Sequence, residues 1–329
     1  MAKALVLGAT GHIGAHIVRA LLAEGHQVRA AYRSERFLPV LEGLAVERAR
    51  VDLDSLDGLR EALAGCAWVF HAAAYYPGLR AARAQALERA LSSTRRVAEE
   101  LLRAKVERLV FTSSASTIRY VAERPATEAD TEPWPLQSWR PLYTTVKIAI
   151  EHEMHRAQQA GLPLVITNPS ICIGEYDAHP FSGRAVLAFA KYQIPFYLDH
   201  TLHLVYTGDV GVGHVRAAQR GRLGERYLMT QHQVPIREFG HLVAHAAGVS
   251  PPRWRLPRAV AYAAACVLEP LARAVGAEPL LTREMIASTR AFPRRLDGSK
   301  AARELGLPQT PLADAIARAV HWFRAHGYC

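Results

Sequence analysis

Residues 8–14 read GATGHIG, with glycine at 8, 11 and 14. The apolar run KALVLGAT leads into them and HIVRALLAEG, with helical spacing, follows. In such a strand–turn–helix unit each glycine has its own task. Gly8 permits the tight turn, Gly11 lets the backbone approach a pyrophosphate, and Gly14 lets the helix pack closely on the strand. Free N–H groups at the helix start favour an anion there, which makes Thr10, His12 and Ile13 candidate neighbours of a phosphate. A glycine turn can also serve chain geometry alone, so the rest of the chain has to decide.

Working outward, apolar runs alternate with helical patterns through the first half. QVRAAY, AWVFHAAA, ERLVFTSS and LPLVITNPS read as strands. DSLDGLREALAG reads as a helix capped by Asp54 or Ser55, a longer helix is expected over about 84–105, and PLYTTVKIAIEHEMHRAQQAG as one that Pro141 starts and Gly161 ends. Strands separated by helices imply a doubly wound α/β parallel sheet of Rossmann type, its ligand site beyond the carboxyl ends of the strands. After about residue 170 the pattern loosens and becomes mostly helical. The expected division is a dinucleotide-binding domain over 1–170 and a smaller substrate lobe over 171–329, with late elements returning to the main sheet. The ten residues AVAYAAACVL (259–268) are too few to span a bilayer and suggest a buried or substrate-capping helix, with membrane-surface contact as an alternative.

The chain has 329 residues, half of them apolar, and a formal net charge of +10. Its arginines are scattered and often mixed with acids at helical spacing, which argues against nucleic-acid binding and suits a small anionic ligand. Cys66, Cys172, Cys266 and Cys329 show neither metal-ligand spacing nor a disulfide framework. With no apolar leader after MAKALVLGA, they suggest a cytoplasmic protein without a bound metal.

A dinucleotide also needs a reader for its adenosine ribose. The second strand ends in VRAAYRSER, with no acid at its end, so NADP is expected over NAD, with Arg33 on the 2′-phosphate and Ser34 beside it. Asp52 and Leu53 are candidates for the adenine. His71, Ala72 and Ala73 close the next strand with small residues that let a flat ligand approach.

The chemical signal is YTTVK. Tyr143 and Lys147 lie four apart on a predicted helix and share a face. A phenol titrates near roughly 10, and a neighbouring ammonium lowers that value. Tyr143 can then give a proton to a carbonyl oxygen or take one from an alcohol. FTSSAST ends the preceding strand, and Ser113, Ser114 or Ser116 could hydrogen-bond the substrate oxygen.

Taken together, GATGHIG, HAAA, FTSSAS, YTTVK and DGSKAARELG resemble the extended short-chain dehydrogenase/reductase family, and more narrowly its dihydroflavonol-reductase-like and hopanoid-associated epimerase-like members. The likeness runs on through NPSICIGEYDAHPFSGR, GRLGERYLMT and HWFRAHGY. It implies bound NAD(P) and a Ser–Tyr–Lys set falling on Ser114, Tyr143 and Lys147, with Ser113 structural. It also implies a helix acid at Glu151 and a nicotinamide lined by Asn168, Pro169 and Ser170. Three positions depart from the family pattern: Ala90 and Ser93 replace an asparagine and a glycine, and Val146 stands where serine is frequent. The substrate lobe is expected to present Tyr75, Tyr76 and Tyr176 to a sugar or ring, and Arg80 and Arg184 to an anionic group; each could equally be packing or surface. The expected activity is reduction of a ketone or aldehyde. The alternatives are nucleotide-sugar epimerisation or dehydration, and a non-catalytic dinucleotide sensor. A homodimer is usual in such families.

Overall fold

The computed structural model describes residues 2–73, 75, 82–136, 140–274, 282, 283, 286 and 295–329. Tyr76 and Arg80 lie outside the described residues. The first half alternates strand and helix: β1 (Lys3–Leu7), α1 (His12–Ala23), β2 (Gln27–Tyr32), β3 (Glu47–Arg50), α2 (Leu59–Leu63), β4 (Trp68–His71), α3 (Arg83–Arg103), β5 (Arg108–Thr112), α4 (Leu142–Gln159) and β6 (Leu164–Pro169). Then come β7 (Ile171–Ile173), α5 (Arg184–Ala190), β8 (Phe196–Tyr197), β9 (Thr201–Tyr206), α6 (Thr207–Arg220), β10 (Arg226–Met229), β11 (His232–Pro235), α7 (Ile236–Ala247), β12 (Trp254–Arg255), α8 (Arg258–Ala274) and α9 (Leu312–Ala325).

Seven strands form one parallel sheet in the order β3-β2-β1-β4-β5-β6-β10. Successive β1 residues point to opposite faces, and both faces are covered. Ala4 and Val6 join Ile17, Val18 and Leu21 of α1 and Val210 and Val215 of α6. Leu5 and Leu7 join Val97 and Leu101 of α3 and Val146, Ile150 and Met154 of α4. Burial on both faces is what a parallel sheet requires. The chain switches direction of travel across the sheet between β1 and β4, and this opens the crevice where α/β sheets bind ligands. A second sheet, β11-β9-β7, carries a further core with α5, α7 and α9.

Three local expectations are corrected. The helix expected over 54–65 is a single turn, Leu59–Leu63, and neither Asp54 nor Ser55 caps it. Leu56 and Gly58 have φ of 71° and 73°, a left-handed backbone through which no right-handed helix can run. The strand β3 escapes sequence reading because ERAR has no apolar period. It is an edge strand, and charge is the usual defence of an exposed edge. The apolar helix around 259–268 is largely exposed rather than buried; only a seam including Ala261, Ala265 and Glu269 is covered. Among the described residues no helix is long and apolar enough to cross a membrane.

Candidate active site

The glycine turn links β1 to α1 at the carboxyl rim of the sheet. Gly8 has φ +81°, and a Cβ there would meet the backbone nitrogen of Ala73 at 2.8 Å. A Cβ on Gly14 would lie 2.0 Å from the Gly8 carbonyl oxygen, whereas one on Gly11 meets only that oxygen, at 3.3 Å. Gly8 and Gly14 are therefore demanded by the fold, while Gly11 is exposed and opens outward. Gly11 caps α1 without a side-chain hydrogen bond, so the first amides of the helix, from His12 onward, keep their donors free for a ligand. The His12 side chain turns away, its Nε2 2.9 Å from Thr207 Oγ1 and its Nδ1 3.8 Å from Asp177 Oδ2. Burial lowers its pKa, so it ties the turn to the start of α6 as a neutral ring.

The other predicted cofactor residues sit at neighbouring strand ends. Arg33 and Ser34 follow β2 and are exposed. Asp52 follows β3; its Oδ1 accepts from the Asp54 amide at 2.8 Å, closing its own loop. The Leu53 carbonyl accepts from Ser93 Oγ at 3.1 Å. Ser93, noted in sequence only as a departure, thus anchors the loop that carries Asp52 and Leu53. His71 ends β4, is buried, and stands edge-on to Phe111 at 5.4 Å. Ala72 and Ala73 continue from it over Gly8, where the close backbone approach demands the missing Cβ.

At the end of β5, Ser113 and Ser114 part company. Ser113 turns inward and donates to Glu151. Ser114 caps a short 3-10 turn (Ala115–Thr117), its Oγ accepting from the Ser116 amide at 3.1 Å. Its hydroxyl proton remains available to a substrate oxygen. On α4, Tyr143 is half-buried, and its ring centroid lies 5.9 Å from that of Phe181, an exposed side chain. One turn on, Lys147 is buried, with Nζ 3.5 Å from the Thr112 carbonyl. Desolvation pulls its pKa down to about 8, partly offset by the Glu151 carboxylate. Val146 faces the apolar core under the sheet, so this departure from serine suits its surroundings. Ala90, the other departure, is buried and gives its carbonyl to Thr94.

Behind these groups lies a buried polar cluster whose assembly around Glu151 the sequence did not show. Glu151 Oε2 accepts from Ser113, from Thr117 Oγ1 at 3.0 Å and from Asn168 Nδ2 at 2.8 Å, while Oε1 pairs with Arg226 Nε at 2.9 Å. Arg226, from β10, also donates to Thr117 Oγ1 and to the Glu128 carbonyl. The sequence offered Glu151 one turn beyond Lys147 and a structural Ser113, but not Arg226, which lies 75 positions from Glu151.

Among the described residues, His71 Nδ1, Asn168 Oδ1, Ser116 Oγ and Ser170 Oγ are buried polar atoms without a hydrogen-bond partner. Left unmatched such groups cost free energy. They lie at the ends of β4, β5 and β6, along the rim that begins at the glycine turn, and Pro169 stands between two of them. The residues present therefore fit an elongated polar ligand such as a dinucleotide.

The described substrate candidates, Tyr75, Tyr176 and Arg184, fall on separate segments. Tyr75 packs with the core beneath the sheet, with the Arg89 guanidinium 5.7 Å from its ring. Tyr176 has φ 67°, and its ring is engaged by Arg19 at 3.6 Å and edge-on by His16 at 5.2 Å. That ring serves packing between α1 and the second core. Arg184 begins α5 and is partly buried. Phe181, not singled out from the sequence, is an aromatic side chain beside the phenol.

The family description "NAD dependent epimerase/dehydratase" matches residues 4–229, from the first residues of β1 to the last of β10. The chain belongs to this family. Within the NAD-dependent epimerase/dehydratase family it is 32% identical over 328 residues to a dihydroflavonol 4-reductase-like protein of Synechocystis sp., covering 98% of this chain and 95% of that one. It is 33% identical over 328 residues to sterol demethylase protein B of Methylococcus capsulatus, covering 98% of each chain. Among solved structures it resembles a nucleoside-diphosphate-sugar epimerase from Pseudomonas aeruginosa, with a TM-score of 0.82, 29% identity and 99% of each chain covered. Family members of this kind are NAD(P)-dependent oxidoreductases and epimerases, and this chain is an enzyme of that type.

Proposed function

We propose that this enzyme is an NADPH-dependent reductase of a ketone or aldehyde. The observation that carries the reading is the buried Lys147 one helical turn from the half-buried Tyr143, at the same rim as Ser114. The first-turn amides of α1, beside Gly8, Thr10, Gly11, Ile13 and Gly14, would hold the pyrophosphate. Arg33 and Ser34 would take the 2′-phosphate, Asp52 and Leu53 the adenine side, and His71, Ala72 and Ala73 the flat middle of the ligand. Asn168, Pro169 and Ser170 would line the nicotinamide, which supplies the hydride when bound.

In this reading Ser114 Oγ–H holds the substrate oxygen and Tyr143 Oη donates its proton to it. Lys147 lowers the cost of the resulting phenolate and can reach a ribose hydroxyl. The cation is charged near pH 7, since its pKa stays at about 8 despite burial. Phe181 beside Tyr143 favours a substrate with an apolar ring or chain next to its carbonyl. A homodimer accompanies the reading and is checked by light scattering. Replacing Tyr143 with Phe should leave NADPH affinity nearly intact and slow turnover about 10²–10⁴-fold; wild-type rates in the variant would remove Tyr143 from the mechanism.

The likeness to a solved nucleoside-diphosphate-sugar epimerase supports a second reading, in which the cofactor is regenerated within each turnover. Stoichiometric NADPH consumption selects the reductase, and product formation with no net change in NADPH selects the epimerase.

A further inference from the structure

Helix α8 buries little of itself. Ala261, Ala265 and Glu269, spaced four apart, form a buried seam: the two alanines pack with Ile286, Leu198 and Leu256, and Glu269 accepts from Arg283. Around it, Val260, Tyr262, Val267, Leu268 and Leu271 are 50–66% exposed. Between Arg258 and Glu269 the helix carries no charge at all. Single exposed apolar residues are ordinary, but a contiguous helical face of them marks an interaction surface.

The surface continues onto the ribbon beside it. Trp254 of β12 and Phe196 of β8 are paired across the two-stranded sheet, both exposed, with ring centroids 5.6 Å apart. Arg253 and Arg255 flank Trp254 along the chain, and Arg258 follows at the start of the helix. Arg253 is exposed, and Arg255 reaches Asp199 at 3.1 Å in a largely exposed pair that water and salt weaken. Arg258 opens the helix, and its Nη1 is buried without a hydrogen-bond partner. An uncharged apolar face, a Trp and a Tyr at its border and a cationic flank are the features of a helix lying in a lipid interface. Charge chooses among occupants. A twofold pairing through α8 would bring a second set of the same arginines, whereas anionic headgroups present phosphates that guanidinium groups bind in a forked geometry.

We propose that α8, with the Phe196–Trp254 ribbon, docks this enzyme on anionic membrane surfaces. The apolar face of the helix enters the headgroup–acyl boundary while the exposed Arg253 and Arg255 meet lipid phosphates. The helix lies on the bilayer and does not cross it.

The test is sedimentation of the full chain with vesicles of phosphatidylcholine alone and of phosphatidylcholine mixed with phosphatidylglycerol. The expected result is binding to the mixed vesicles, weakened by salt, and little binding to the neutral ones. A V267D/L271D double variant should bind at least about tenfold more weakly, since each side chain loses its apolar transfer. Both positions are exposed and far from the rim residues in sequence, so the variant should melt like wild type, and a circular-dichroism melt verifies this. No binding to either vesicle, equal binding to both, or wild-type binding by a folded double variant would overturn the proposal. So would light scattering that shows the double substitution splitting a dimer, because α8 would then pair with a second copy. Turnover of a water-soluble ketone plays no part in these outcomes, so failure here leaves the reductase reading standing.

Discussion

Replacing Glu151 with Gln perturbs the cluster on which both the catalytic strand end and Lys147 rest. The two carboxylate oxygens have opposite duties. Oε2 gathers Ser113, Thr117 and Asn168, and Oε1 faces Arg226 at 2.9 Å. An amide has one acceptor oxygen, so its NH2 must confront either three donors or a guanidinium. Both ionic side chains are only 6–7% exposed, so solvent cannot replace the lost partner. Breaking a buried pair costs 3–5 kcal/mol as a rule. Arg226 keeps Thr117 and the Glu128 carbonyl, which places the expected loss at about 3 kcal/mol, toward the lower end of that range. Urea unfolding followed by circular dichroism reads it. A double-mutant cycle with Arg226→Leu should give clear coupling, the double variant losing less than the sum of the singles. The same substitution removes the carboxylate that supports the Lys147 ammonium, so the Lys147 pKa should fall further below about 8. A loss under about 1 kcal/mol, or single losses that add to within about 0.5 kcal/mol, would refute the reasoning.

The glycines should separate by role. Gly14→Ala places a methyl 2.0 Å from the Gly8 oxygen and should cost about 1–3 kcal/mol as well as NADPH binding. Gly11→Ala should melt like wild type yet bind NADPH poorly, and equal melting losses would contradict the assignment. Arg33→Ala should weaken NADPH far more than NADH in fluorescence titrations; equal losses would mean the 2′-phosphate is read elsewhere. Burial holds His16, His71 and His214 neutral, with pKa values lowered to about 3, about 4 and about 4. Between those values and the ordinary 6.5 the unfolded chain binds protons that the folded one refuses, so stability falls as pH falls through that window. Each histidine contributes a slope of about 1.4 kcal/mol per pH unit. Urea midpoints from pH 7 to 4.5 test this, and His214→Gln should flatten the curve if it folds.

Some features were readable because a single local interaction dictates them. GATGHIG names a turn where only glycine fits, at 8 by its left-handed backbone and at 14 by close approach to the Gly8 carbonyl, and the alternation of Leu5 and Leu7 with Ala4 and Val6 marks a strand buried on both faces. Tyr143 and Lys147 share a helix face by spacing alone. Elsewhere local signals misled. Nothing in DSLDGLREALAG announces that Leu56 takes a left-handed backbone, and ERAR pairs as a strand only because β2 offers it an edge.

Local pattern in this chain sufficed for the parallel architecture, the glycine turn and the placing of Tyr143 and Lys147 one turn apart on a single helix, since each depends on residues within a few positions of one another. Long-range packing settled the rest. It brought Arg226 under Glu151, tied the His12 ring to Thr207, drew Tyr176 into packing against Arg19, set Phe181 against Tyr143, and left the apolar side of α8 facing outward. Burial and charge compensation are properties of neighbours in space, and those neighbours come from strands and helices far apart along the chain.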